Sequence, residues 1–263
     1  MSKDNYMPYK VGEAETQALL TKMYPEDRIL FQAKGGSPDL LRYSGSPLKR
    51  VEGIEVVTYG EEGIREKLAK VTTEDEYKAV VGESILNATS RGLKYISEAH
   101  GVPITEEESA RQVLHGAFRD DINEEFKIAY HVGVALGLLE SIHKKLCKWQ
   151  KDNYKKCPER SVAVVWTHDR SISPPEQRIV SDDLELISRL LNGLLCDDTA
   201  LWEGDISNGL HRVYFIAEES PDGQTLYCKA YCYNKDDGMY TQTQYTWGKD
   251  IFIPINSEVV VEE

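Results

Sequence analysis

Residues Asp121–Gln150 read DINEEFKIAYHVGVALGLLESIHKKLCKWQ, and this stretch decides the fold. Its centre, Ile128–Leu139, is apolar on nearly every side of a helical wheel, and a helix of that kind must be buried. Asp120 or Asp121 can cap its start. Glu124 and Glu125 suit the positive end of the helix dipole, and Lys144, Lys145 and Lys148 suit the negative end. At about 1.5 Å per residue, a helix over 121–150 crosses a small domain. The other helices are therefore expected to pack around it.

Upstream, two capping-box patterns announce two such neighbours. Thr105 to Glu108 opens a helix with Ala110, Val113, Leu114, Ala117 and Phe118 inward. Thr73 to Glu76 opens a longer one with Val80, Ile85, Ala88, Gly92 and Ile96 on a stripe, and Gly101 and Pro103 stop it. Short connections make neighbouring helices antiparallel, so a bundle is expected. Glu61–Lys70 reads as a further short helix and Gly12–Tyr24 as another. Arg28–Ala33 and Val51–Tyr59 read as a strand pair. The Gly-, Ser- and Pro-rich KGGSPDLLRYSGSPLKR between them reads as a loop. Gly35–Gly36 lies in neither GxxxxGK[ST] nor GxGxxG, so it predicts no phosphate-cradling loop.

Downstream, the polar segment Lys148–Arg160 marks a boundary between residues 1–150 and 161–263, although one continuous domain is also compatible. SVAVVW (Ser161–Trp166) has the near-continuous apolar character of a strand buried on both faces. A helix capped by Ser181 or Asp182 follows and runs through Leu195. His211–Glu218, Gln224–Asn234 and Met239–Trp247 then alternate in polarity, separated by Pro-Asp-Gly and Asp-Asp-Gly turns. Ile251, Ile253 and Ile255 suggest a last strand. The expected fold is α+β: an N-terminal helical bundle around the long central helix, then a strand–helix unit with an antiparallel β-meander.

Composition narrows the function classes. The chain has 263 residues, 41% of them hydrophobic, which is ordinary for a protein with a buried core. A net charge of −13 with no basic block argues against a nucleic-acid backbone as the main ligand. Five cysteines without a CxxC pair fit reduced thiols, no apolar run suggests a membrane span, and no signal-peptide pattern stands at the start. The expectation is a cytoplasmic protein whose partner is another protein or a small molecule, with no cofactor.

Four groups of residues could carry chemistry. Folding the two helices back on a turn at Arg119–Asp121 brings His115 near Glu124 or Glu125, with Arg111 on the same face as His115. His168 follows the apolar strand 161–166, where chains often leave a sheet into a site. Together, His115, Glu124, Glu125, Arg111 and His168 form a candidate acid–base set, although such clusters also occur as structural ion pairs. Glu140-x-x-His143 is half of a di-metal helix motif, but no second ExxH is present, so no metal site is expected. Asp120, Asp121 and Glu124 form DDxxE, which resembles the magnesium-binding motif of terpene cyclases. Those enzymes are entirely helical, and a helix cap accounts for the same residues here.

The fourth group is aromatic. In Gln224–Asn234, Cys228, Ala230 and Cys232 fall on one face of a strand, and Tyr227, Tyr231 and Tyr233 fall on the other with Lys229. The next strand adds Tyr245 and Trp247. Tyrosine offers a large contact area at low entropy cost. Tyr227, Tyr231 and Tyr233 are therefore candidate ligand contacts, unless other parts of the chain cover that face. The leading expectation is a binding protein without a catalytic motif. The alternative is a small-molecule hydrolase or lyase using the His/carboxylate set.

Overall fold

Backbone pairing joins the strands of both halves of the chain into one sheet. The computed structural model describes residues 12–32, 38–59, 70–117, 124–146, 157–166, 181–197, 210–219, 227–236, 239–248 and 259–260. Among them the strands are β1 (Arg28–Gln32), β2 (Leu40–Ser44), β3 (Lys49–Tyr59), β4 (Glu159–Trp166), β5 (Arg212–Glu219), β6 (Tyr227–Asp236), β7 (Met239–Gly248) and β8 (Val259–Val260). The helices are α1 (Glu13–Met23), α2 (Glu74–Ala99), α3 (Glu106–Ala117), α4 (Glu124–Leu146) and α5 (Ser181–Asp197). No described helix is long and apolar enough to cross a membrane.

The strand order is β7-β6-β5-β4-β3-β2-β1-β8. The sheet is mixed: β4 runs parallel to β5 and β1 parallel to β8, while β1–β2, β2–β3, β5–β6 and β6–β7 are antiparallel. This corrects the expected separation of an N-terminal strand pair from a C-terminal meander. The cause lies in β4. Its residues are buried on both faces from Arg160 to Trp166, so it occupies the interior of the sheet, with β3 on one side and β5 on the other. Parallel neighbours need a long crossover, and the chain between β4 and β5 includes α5. A second correction is β2, which lies in the segment expected to be a loop. Its Leu40 and Leu41 are fully buried, and that burial outweighs the Gly, Ser and Pro flanking them.

The chain forms two compact units. The first comprises 1–58, 141–168 and 198–263, and the second comprises 59–140 and 169–197. The sheet belongs to the first, apart from Tyr59 at the end of β3. There α1 packs Leu19 and Leu20 on one sheet face, against Ile29, Phe31, Leu40, Ile54, Val56, Ala163, Val165, Tyr214 and Ile216. Gln17 Nε2 donates to the Ile29 carbonyl at 2.8 Å and ties the helix to β1. Gly12, at φ 97°, starts this segment in a conformation that L side chains rarely adopt. At β4 and β5 the opposite face is buried as well: Val162, Val164 and Phe215 are fully covered, and Trp166 stacks on Phe215 with ring centroids 6.4 Å apart. Near β3, Lys145 of α4 reaches that opposite face and binds Glu55 at 2.7 Å and Asp39 at 3.4 Å.

The second unit is helical. Both capping boxes form as expected: Glu76 N donates to Thr73 Oγ1 at 3.3 Å, and Glu108 N donates to Thr105 Oγ1 at 3.1 Å. Gly101, at φ 73°, ends α2 in the left-handed region. Along α2 and α4 the backbones touch at glycines. A Cβ placed on Gly92 would collide with the Ala129 carbonyl, and one on Gly133 would collide with the Ala88 carbonyl. The Ser90 and Ser109 hydroxyls, 2.7 Å apart, link α2 to α3. Residues 61–69, 118–120, 121–123 with 147–150, and 251–255, which the sequence assigns to a short helix, to the end of one helix and the turn after it, to the two ends of the central helix and to a last strand, lie outside the described residues.

Candidate functional site

Among the described residues, a cluster of ionisable groups lies on the α1 face of the sheet, one row below the apolar core. Register explains its assembly. Leu40 faces Ile54 across β2–β3, and two residues further along Arg42 faces Glu52. Ala163 faces Tyr214 across β4–β5, and two residues back Ser161 faces Arg212. Side chains alternate with period two. The charged row therefore shares the face of the buried row and must be satisfied there.

Glu52 is the hub and is fully buried. Its Oε2 accepts from Arg42 Nε at 2.7 Å. Its Oε1 accepts from the Ser161 hydroxyl and from Tyr214 Oη at 3.0 Å, and lies 3.3 Å from Arg212 Nη1. Arg42 continues to Asp27 through Nη1 at 2.7 Å and to Glu159 through Nη2 at 3.4 Å. Arg212 Nη1 also pairs with Glu159. The Arg42 guanidinium lies over the Tyr24 ring, 4.1 Å from its centroid, and the Tyr24 and Tyr214 hydroxyls are 3.4 Å apart.

The electrostatics are those of a closed network. Burial lowers the Arg42 pKa, but the Glu52 charge and the bonds to Asp27 and Glu52 outweigh it, so the net shift is upward. Arg212 is raised in the same way, mainly by its bond to Glu159 and by the charge of Glu52. At Glu159, burial pushes the carboxyl up, while the Arg212 bond and the charges of Arg212 and Arg42 hold it below its ordinary range. An ionised carboxylate offers about four lone-pair positions, and four donor groups converge on Glu52. The network also sits at the N-terminal ends of the parallel strands β4 and β5, whereas sites in open α/β sheets favour the C-terminal ends. We read it as a lock holding five segments of the first unit together rather than as an acid–base site.

The expected site residues fall in three places. Arg111 is exposed on α3 and pairs with Glu107 one turn earlier at 2.9 Å. Glu108, on the same helix, accepts from Thr105 N at 2.8 Å as part of the cap, and these bonds hold its carboxyl low. The side chains of His115, Glu124 and Glu125, and all of His168, lie outside the described residues. Glu140 is exposed on α4, and among the described residues no group of three or more His, Cys, Asp or Glu is arranged to hold a metal ion. The side chains of Tyr227, Tyr231 and Tyr233 are also outside the description, but their backbone register is fixed. Tyr231 faces Phe215, Tyr233 faces Val213 and Tyr227 faces Glu219. The tyrosines therefore fall on the sheet face opposite α1. Cys232 and Ala230 face Tyr214 and Ile216, on the α1 side. Tyr245 faces Ala230 and Trp247 faces Cys228, so β7 adds its aromatic pair to the α1 side.

Sequence reasoning missed the Arg42–Glu52–Arg212 network. One signal was available: Glu52 is in phase with Ile54 and Val56, and Ser161 with Ala163 and Val165, so polar residues occupy the buried phase of two strands.

Comparisons with known protein families, with characterised proteins and with solved structures find no match to this chain.

Proposed function

We propose that this protein binds a ligand without chemistry of its own and contacts it through the β6–β7 part of the sheet face opposite α1. The placement of the tyrosines carries this reading. On that face β6 contributes Tyr227, Tyr231 and Tyr233, with Lys229 and Lys235 between and beside them. β7 contributes Tyr240 opposite Lys235, Gln242 opposite Tyr233 and Gln244 opposite Tyr231. Neither strand contributes an acid to the face, although acids outnumber bases by 44 to 31 in the whole chain. Tyrosine rings offer stacking area, lysines offer positive charge and glutamines offer paired donors and acceptors. The fitting ligand is a small molecule that combines a flat ring with negative charge. The saturated network around Glu52 supports the reading from the other side, because its carboxylates are engaged by the protein's own donors.

The test is calorimetric titration with mononucleotides and simple anionic aromatics as probes, on the full chain and on a Tyr227→Ala/Tyr231→Ala double variant. Saturable binding to the full chain, lost in a variant that melts nearly where the full chain does, is the expected result. A cost of about 3–5 kcal/mol for each Tyr→Ala, as for buried aromatics, would make the face core and end the proposal.

A further inference from the structure

Among the described residues the two edges of the sheet differ in a way that points to a partner. One edge is β8, two residues long. The other is β7, ten residues long, paired with β6 along its whole length from Met239 to Gly248 without a register shift. Among the described residues β7 has a neighbour on one side only. In an antiparallel strand, alternate residues direct their N–H and C=O groups to opposite sides. About half of the β7 backbone groups therefore face away from β6. Sheet edges are usually guarded by shortness, lysine, proline or a bulge. β8 is short, but β7, MYTQTQYTWG, carries no charge, no proline and no bulge.

We infer that β7 pairs antiparallel with β7 of a second copy of this chain, making the two sheets continuous. Charge is compatible with this occupant. Each chain carries a net charge of −13, so two copies repel overall. With distant charges screened by salt, the approach that adds least repulsion is through an uncharged element. β7 is a ten-residue strand without any charge. The strand is also self-complementary about Thr243. A twofold axis there sets Thr243 against its own copy, Gln242 against Gln244 and Thr241 against Tyr245. Directly opposed residues share a face, so the glutamines pair on the side opposite α1 and the threonines meet tyrosines on the α1 side. Cross-strand pairs of these kinds stabilise sheets. This inference rests on the outer edge of β7, which has no neighbour among the described residues. Gln242 and Gln244 also lie on the ligand face, but oligomeric state is read without ligand, so either proposal can fail without the other.

The test is sedimentation equilibrium of the full chain over a concentration series. The wild type is expected to be a dimer. Gln242→Lys/Gln244→Lys sets lysine against lysine twice across the axis and should weaken dimerisation by at least about tenfold, the equivalent of 1.4 kcal/mol. Gln242→Lys/Gln244→Glu sets lysine against glutamate twice and should restore the dimer. Far-ultraviolet circular dichroism and melting midpoints of both variants establish that they are folded. A monomeric wild type at every concentration overturns the inference. So does a dimer that responds to neither variant, or equally to both.

Discussion

Arg42 and Glu52 stand directly opposite each other across β2 and β3, with Nε and Oε2 2.7 Å apart and the Glu52 side chain wholly buried. A pair in this position contributes less than its Coulomb attraction implies, because both groups lose their hydration. Breaking it is another matter. Removing one partner strands the other in a place where water cannot replace it.

Glu52→Ala is therefore expected to destabilise the protein by about 3–5 kcal/mol, the cost of leaving a buried charge uncompensated. Arg42→Met should cost a similar amount. The double variant Arg42→Met/Glu52→Leu should lose less than the sum of the two single losses, because neither member of the pair is left facing an apolar residue, although Asp27, Ser161 and Tyr214 each lose a partner. Urea denaturation of the three variants provides the check. Additive losses in the double variant would mean that the two groups do not act as a unit.

Helix contact in the second unit allows a comparison within one helix. Gly92 and Gly82 both lie in α2. A Cβ on Gly92 would strike the Ala129 carbonyl and come within 2.9 Å of the Gly133 nitrogen, whereas one on Gly82 meets nothing within 4 Å. Gly82→Ala should stabilise the protein by about 0.5–1 kcal/mol through helix propensity alone. Gly92→Ala must push two backbones apart and should destabilise it by about 1–3 kcal/mol or more. If both substitutions stabilise the protein, α2 and α4 do not pack at this point.

The parts of this fold that are legible in sequence are those whose signals are local. Ile128–Leu139 is apolar all round, which identifies a buried helix without knowledge of its neighbours, although Ile128 at its start is 50% exposed. Thr73 with Glu76 and Thr105 with Glu108 cap helices within four residues of chain. The apolar run Val162–Trp166 reveals a strand covered on both sides. What was not legible depends on register across distant segments. Glu52 meets Arg42 ten residues away, but it meets Ser161 and Tyr214 from 109 and 162 residues away, and no spacing rule reaches so far. β2 was hidden because Leu40 and Leu41 lie among Gly, Ser and Pro. The tyrosine alternation in β6 was legible, but which sheet face it served was not, because that follows from the pairing of Cys232 with Tyr214.

The pH dependence of stability follows from two partly buried groups with opposite signs. Arg212 and Arg42 outweigh the effect of burial and hold the Glu159 carboxyl below its ordinary value of 4.5. A lowered acid contributes stability that is complete above its unfolded pKa and is lost as pH falls through the folded value. Glu159 therefore stabilises the fold at neutral pH and ceases to do so in acid. Lys145 behaves in the reverse way. Burial pushes its pKa down, but Asp39 and Glu55 more than compensate and raise it above 10.5. A raised base contributes stability that is complete below its unfolded pKa and is lost as pH rises through the folded value. Denaturant midpoints measured across pH should form a plateau with an acid and an alkaline shoulder. Glu159→Gln should lower the plateau and flatten the acid shoulder below pH 4.5, leaving the alkaline side unchanged. Lys145→Met should lower the plateau and flatten the alkaline shoulder above pH 10.5, leaving the acid side unchanged. If either substitution lowers stability equally at every pH, its group contributes through packing alone, and the ion pairs at that position carry none of the pH dependence.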